Sequence, residues 1–164
     1  MDSIVKAHNK KTLAKDNGEN KNHTDVQCNC RKKGDCPVEN KCLTEGVVYE
    51  ATVKFENKEV KYVGMTDKTF KTRYNSHKTT LKHDRYRTET ELSNFVWGLK
   101  DKNTAYQISW KIISKARSYS PGTATCNLCL LEKYNILLRK DLIDKKSELL
   151  NKCPHRRKFL VSNI

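Results

Sequence analysis

Four closely spaced cysteines are the first residues along the chain whose types and spacing could do chemistry. One residue separates Cys28 from Cys30, and five residues precede each of Cys36 and Cys42. Four thiolates complete the tetrahedral ligand shell of a structural Zn²⁺ ion. The pattern therefore favours a zinc site, with free thiols or a redox role as the open alternatives.

A second group of metal-ligand types lies near the end of the chain. Cys126 and Cys129 have two residues between them, and Cys153 and His155 follow after 23 more. Three thiolates and an imidazole also make a four-ligand zinc site. The alternative is that the first two cysteines are small buried apolar side chains and that His155 belongs to a basic run. Two sites would use all seven cysteines, and their zinc ions would stabilise a chain with a small core.

One carboxylate and two basic side chains also occupy unusual positions. Glu132 interrupts an apolar helical run, with Leu128 and Ile136 four residues to either side. Such a carboxylate must be paired, protonated or bound to a cation, and Mg²⁺ prefers oxygen ligands. Arg73 and His77 lie four residues apart on another predicted helix, where they could clamp a phosphate or form a solvated basic face.

A hairpin is predicted ahead of these basic residues. Residues 47–55 alternate, with apolar side chains at every odd position and, apart from Val48, polar side chains at the even positions; Asn57-Lys58 marks a turn, and residues 60–64 continue the alternation. With an even-numbered loop, Tyr49 and Tyr62 share one face of the hairpin. Their separation along the ladder stays open, because a two-residue loop would leave them about four residues apart and a four-residue loop would bring them closer.

The rest of the pattern predicts an α+β fold with a small antiparallel sheet and helices packed against it. Apolar spacing favours three helices and alternation favours a third strand. A possible capping box of Thr88 and Glu91 opens the second helix. The predicted elements are helices over 69–82, 88–100 and 127–139 and a strand over 107–113.

Charge and length restrict the function classes. The 164 residues suit one main domain, and 33 Lys and Arg against 19 Asp and Glu give a net charge of +14. From Gly46 onward there are 24 basic and 12 acidic residues, so this part is expected to meet a polyanion such as nucleic acid. No apolar run is long enough to cross a bilayer, and we expect an intracellular, nuclear protein with no membrane partner.

Three regions are expected along the chain. Residues 1–27 are polar and predict a flexible connector, 28–45 a zinc-binding module, and 46–164 the main domain. Because the cysteine loop lies outside the predicted sheet, Cys36→Ser is expected to spare the fold beyond Gly46.

Several short segments, in this order, resemble the GIY-YIG nuclease family over residues 46–164. They are Gly46-Val-Val-Tyr49, Tyr62-Val-Gly64, Phe70 to His77, and Glu132. Further segments are similar to the endonuclease domains at the C-terminal end of Penelope-like and related retroelement proteins. These are Thr90 to Ser93 with Trp97, Cys126 to Lys133, and Cys153-Pro-His155. Residues 3–9 and 30–42 resemble the connector and cysteine loop that follow a reverse transcriptase in such proteins.

The resemblance implies a three-stranded antiparallel sheet flanked by helices, and it implies roles for five residues. Tyr49 would be the general base or water-orienting phenol, and Tyr62 the second phenol at the phosphate. Arg73 would donate to the charge of the transition state, and His77 would assist at the nucleophile or leaving group. Glu132 would hold one Mg²⁺ or Mn²⁺ ion, which suits phosphodiester hydrolysis at a site with one carboxylate.

The leading hypothesis is a metal-dependent DNA endonuclease that nicks or cuts target DNA for retroelement insertion. Its partners would be DNA and a reverse transcriptase region in the same or a longer polypeptide. One departure motivates an alternative, because Asp144 stands where relatives have Asn, so that either Asn151 substitutes or activity is reduced. The alternative is a zinc-stabilised DNA-binding module with decayed catalysis; an RNA-binding accessory of a reverse transcriptase has only the basic charge in its favour.

Overall fold

The computed structural model describes residues 27–32, 34–117, 126–143, 149 and 152–155. Within them the order is strand, strand, helix, helix, strand, helix, so the predicted α+β class is confirmed. The predicted connector over 1–27, apart from Gln27, lies outside the described residues, as do Asp144 and Asn151. None of the described helices is long and apolar enough to span a membrane.

Three antiparallel strands form the sheet. They are β1 (Glu45–Phe55), β2 (Lys58–Thr69) and β3 (Tyr106–Lys115), with β1 in the centre. The alternation that predicted β1 and β3 reflects two differently covered faces. Along β1 both Val48 and Tyr49 are fully buried although they point to opposite faces, which means that the central strand is covered on both sides.

The hairpin turn lies one residue earlier than predicted. Phe55 pairs with Lys58, so the loop consists of Glu56 and Asn57, whose φ angles are 47° and 63°. Two consecutive residues with positive φ are typical of a type I′ turn, whose twist suits a two-residue hairpin. The predicted turn at Asn57-Lys58 is therefore wrong by one position.

This turn sets the register of the two tyrosines. Tyr49 pairs with Gly64, and Tyr62 pairs with Ala51. Tyr62 is thus two positions from the partner of Tyr49, and the two rings lie on one face with their centroids 6.5 Å apart. The shared face was predicted correctly, and the shorter separation follows from the shifted turn.

Three α-helices follow the predicted positions closely. They are α1 (Phe70–Lys82), α2 (Glu91–Asp101) and α3 (Asn127–Leu138). The N-cap of α2 is Thr90, which exchanges hydrogen bonds with Ser93 in a capping box. The predicted box of Thr88 and Glu91 is wrong, because the chain enters the helix two residues later and a serine hydroxyl takes the place of the carboxylate.

The sheet separates two half-cores. The first half-core lies on the face of Tyr49 and includes Phe70 of α1 and Leu92 of α2. The second half-core lies on the face of Val48 and includes Leu128 of α3. Each half-core therefore buries the apolar side of different helices against the same three strands.

The cysteine loop packs on the first half-core. Cys42 has no exposed surface and belongs to that core, and Cys28, Cys30 and Cys36 pack against it. The backbone of the loop also holds the start of α1, since the Lys71 amide donates to the carbonyl of Cys42 at 2.7 Å. The loop lies outside the sheet, as predicted, but it covers part of the core that the sheet forms.

Candidate active site and metal centres

The first cysteine cluster has the dimensions of a tetrahedral metal site. The ligand atoms of Cys28, Cys30, Cys36 and Cys42 all lie within 4.8 Å of one another. The Cys42 sulfur is 3.8 Å from that of Cys30 and 3.6 Å from that of Cys28. Four sulfurs at the Zn–S distance of about 2.3 Å would lie about 3.8 Å apart. The cluster is therefore compatible with a structural zinc site.

The second cluster contains the four residues that the sequence suggested. Cys126, Cys129, Cys153 and His155 also lie with their ligand atoms within 4.8 Å. Nδ1 of His155 is 3.5, 3.3 and 3.6 Å from the three sulfurs in turn. Zinc bond lengths of about 2.3 Å to sulfur and about 2.0 Å to nitrogen predict about 3.5 Å for such a pair. A metal ion here would be bound by Nδ1 of the imidazole.

The protonation of the first cluster without a cation follows from its surroundings. Burial raises the pKa of the Cys42 thiol to about 12. A hydrogen bond from the Cys30 amide lowers the pKa of Cys28 to about 7. Burial thus keeps the Cys42 thiol neutral at neutral pH, whereas the hydrogen-bonded Cys28 thiol ionises more readily because of its lowered pKa. All seven cysteines are free of disulfide bonds.

Tyr49 is the centre of a buried hydrogen-bonded network. Its hydroxyl oxygen is 2.8 Å from Nε2 of His77, and Nε of Arg73 donates to the same oxygen at 3.0 Å. The oxygen accepts from Arg73, and the tautomer of His77 sets whether the phenol donates to Nε2 or accepts from it. Arg73 and His77 do share one side of α1, as predicted, but that side faces the sheet, and His77 is only 1% exposed.

Arg73 joins the two tyrosines. Burial alone would lower the pKa of its guanidinium, but the hydrogen bonds and charge interactions with Tyr49 and Tyr62 outweigh burial and raise the pKa. The guanidinium is therefore fixed in position and fully charged at neutral pH. The Tyr62 ring also lies 5.8 Å from the His77 ring, so four of the five predicted site residues form one contiguous group.

Gly64 leaves the space that the Tyr49 ring occupies. A Cβ atom at Gly64 would lie 2.5 Å from the Tyr49 hydroxyl oxygen and 2.6 Å from Cζ. Real carbon atoms do not approach so closely. The Tyr49 ring can therefore occupy its position only because residue 64 is a glycine.

A pocket of about 280 Å³ opens beside this network, and we name it the Glu132 pocket. It contains three of the five predicted catalytic residues, Tyr62, Arg73 and Glu132. Tyr49 and His77 are in the layer behind Arg73 and do not appear in the lining. The lining also includes Gly64, Met65, Glu89, Thr90, Cys129, Lys133, Lys152 and Pro154.

Helix α3 brings Glu132 to the pocket. Leu128, Glu132 and Ile136 share its buried side, and Glu132 is 6% exposed. Two polar contacts fix the helix on the sheet: Arg139 at its C-cap pairs with Glu50 of β1, and Asn135 donates to Ser114 of β3. The carboxylate is consequently held on a rigid element rather than on a loop.

The second cluster borders the same pocket. Cys129 is both a member of the cluster and part of the pocket lining, and Lys152 and Pro154 flank Cys153 in sequence and also line the pocket. Metal binding would thus order one wall of the pocket.

Sequence reasoning missed Glu89, Lys133 and Lys152 as lining residues. Lys133 follows Glu132 directly in sequence, which was a usable signal, whereas nothing in the spacing of Glu89 pointed to the pocket.

Comparison with protein-family models, with curated proteins and with solved structures finds no match for the chain.

Proposed function

We propose that this protein is a metal-dependent DNA endonuclease of the GIY-YIG type, which hydrolyses phosphodiester bonds and nicks target DNA for retroelement insertion. The observation that carries the proposal is the convergence of the Tyr62 phenol, the half-buried, charged guanidinium of Arg73 and the buried carboxylate of Glu132 on one pocket. These groups come from β2, α1 and α3, and β1 supplies Tyr49 behind them. The resemblance of the short motifs to that family supports the same assignment.

In the proposed reaction, Arg73 binds the scissile phosphate and stabilises the charge that develops on it. Its orientation is fixed because Nε is bound to Tyr49, and preorganised donors of this kind lower the barrier without rearrangement. Lys133 and Lys152 add positive charge to the lining, which suits a substrate with several phosphates.

The two phenols act from different depths. Tyr62 lines the pocket and contacts the phosphate or the attacking water, whereas Tyr49 lies behind it. Tyr49 holds Arg73 through its hydroxyl oxygen and would exchange a proton with Nε2 of His77, which lies 2.8 Å away. The role of Tyr49 as the general base stays a prediction, and Tyr62 is the alternative base that the pocket favours.

The lining fits a hard divalent cation. Glu132 offers one buried carboxylate, and a pocket of about 280 Å³ leaves room for waters and phosphate oxygens, the ligand set that Mg²⁺ prefers. Bound Mg²⁺ or Mn²⁺ would supply Lewis-acid stabilisation of the phosphate. The two thiolate-rich clusters would hold structural Zn²⁺, since sulfur and imidazole ligands select zinc over magnesium.

Nicking of supercoiled plasmid tests the proposal. The parent protein is expected to nick DNA only with added Mg²⁺ or Mn²⁺. Glu132→Gln should abolish nicking and leave zinc content and DNA affinity unchanged, because it removes the carboxylate charge without changing the size of the side chain. The matched control is Glu91→Gln, an exposed carboxylate in the first turn of α2, which should cut like the parent.

Two outcomes would contradict the endonuclease. If the parent binds DNA but does not nick it with either ion, the zinc-stabilised DNA-binding module is the better description. If Glu132→Gln cuts at the parent's rate, the carboxylate has no part in the reaction.

A further inference from the structure

A second cavity lies between the cysteine loop and α1, away from the Glu132 pocket. Its volume is about 340 Å³, and we name it the loop groove. The loop contributes Asn29, Arg31 and Asp35, and α1 contributes Lys71, Tyr74 and Lys78.

The loop groove is basic and its walls are tied together. Three cationic side chains, Arg31, Lys71 and Lys78, line the groove together with one carboxylate, Asp35, and with Cys30 and Cys42 of the first cysteine cluster. Nζ of Lys71 donates to the side-chain oxygen of Asn29 at 2.5 Å, which links helix and loop. Such a concentration of positive charge in a concave site attracts phosphate groups.

Tyr74 shows which part of a nucleic acid would be contacted. Its ring stacks on Phe70 at 6.0 Å and has Lys78 Nζ 5.7 Å from its centroid. The ring is therefore engaged within the protein and is poorly placed to stack on a base. This favours contacts with the sugar-phosphate backbone, which are independent of sequence.

The loop groove and the Glu132 pocket lie on opposite flanks of α1. Lys71, Asn75 and Lys78 recur at helical spacing on one flank, whereas Arg73 lies about 200° around the helix from Lys71. The helix contains no acidic residue, and its exposed side between the two flanks includes Thr72 and Ser76. Nothing on α1 itself would repel a DNA strand that crosses it.

We propose that the loop groove is a second DNA-binding site, which holds the phosphate backbone of the duplex outside the Glu132 pocket. One helix diameter, about 10–12 Å, separates the two flanks, which corresponds to about three base pairs at 3.4 Å per step. The groove would therefore hold the DNA backbone about three base pairs from the scissile bond. This distance rests on the proposed function, whereas the binding of DNA in the groove does not.

Salt-dependent binding of duplex DNA, without added Mg²⁺ or Mn²⁺, tests the groove. The variant is Lys71→Gln with Lys78→Gln, which removes two charges and leaves a side-chain amide at position 71 that can still donate to Asn29. The control is Lys58→Gln with Lys102→Gln, an equal charge loss at two exposed positions outside the groove. Zinc content and circular dichroism should be the same in all three proteins.

For the groove variant, the slope of the logarithm of the DNA-binding constant against the logarithm of the salt concentration is expected to fall by about two, because each phosphate contact contributes about 0.9 to this slope. Its affinity for DNA should fall at least about tenfold. The control should change the slope by less than about half of that. Lys78→Gln alone, on the helix, should give about one unit. Equal slopes and affinities for the groove variant and the control would overturn the proposal.

The two proposals fail separately. A parent protein that never nicks plasmid, together with a groove variant of lower slope, leaves the groove in place and removes the endonuclease. A parent that nicks, together with a groove variant that binds like the control, removes the groove and leaves the endonuclease.

Discussion

Replacing Gly64 by alanine tests the packing that holds the Tyr49 network. The added Cβ would lie 2.5 Å from the tyrosine oxygen and 2.6 Å from Cζ, about 1 Å inside a normal carbon contact. Tyr49 cannot easily move, because its ring packs against Phe70 at 5.3 Å and Trp110 at 5.9 Å and its oxygen is bound to His77. Either the ring or strand β2 must shift.

Two costs and one gain set the size of the effect on stability. Overpacking a well-filled core costs about 1–3 kcal/mol, and weakening one hydrogen bond of the network costs about 1 kcal/mol more. Alanine recovers about 0.5–1 kcal/mol of the conformational entropy that glycine loses on folding. We therefore expect Gly64→Ala to lower the free energy of unfolding by about 1–3.5 kcal/mol.

Gly98→Ala is the matched control. Gly98 lies within α2, and a Cβ there would meet no atom within 4 Å. Alanine is favoured over glycine in a helix by about 0.8–1.0 kcal/mol, so this variant should be more stable than the parent. Urea unfolding followed by circular dichroism measures both variants. A Gly64→Ala protein as stable as the parent would refute the steric argument and the register that leads to it.

Three further predictions concern the site and the metals. Arg73→Ala and Tyr49→Phe should each lower the single-turnover cleavage rate by about 10²–10³, and rates equal to the parent's would remove both from the reaction. The purified protein should contain two zinc ions by elemental analysis, and Cys129→Ser should lose one of them and unfold at lower temperature. Cys36→Ser should also destabilise the whole fold, because its loop covers the first half-core; stability equal to the parent's would support the independent module expected from sequence.

The helices and strands were predicted from the sequence more accurately than the turns that join them. Alternating and helical apolar spacing was enough to find three strands and three helices, because burial against one layer imposes those periods. The hairpin turn was misplaced by one residue, since Glu56 and Asn57 both adopt positive φ and the glutamate gives no signal for it. That single residue changed the expected separation of Tyr49 and Tyr62.

The sequence predicted which residues belong to the site but not how deeply each of them is buried. Spacing indicated Cys28 to Cys42 as one cluster, and the structure brings their sulfurs together. Spacing carries no information on what a loop packs against, so the burial of Cys42 in the core could not be foreseen. The same holds for Tyr49, His77 and Arg73, whose order in the chain does not tell which of them reaches the pocket.

The Glu132 pocket depends on both half-cores, because its lining residues come from both sides of the sheet. Tyr62 and helix α1, which carries Arg73, lie on the side of the sheet that the first cysteine cluster covers. Helix α3, which carries Glu132, lies on the other side, where Cys126 of the second cluster is its N-cap. The pocket is assembled around the edge strand β2 from both sides at once. Metal ions bound to the two clusters would support opposite sides of the pocket, so that loss of either ion would leave the pocket incomplete. Assembly of the pocket would thus require both metal ions to be bound at the same time.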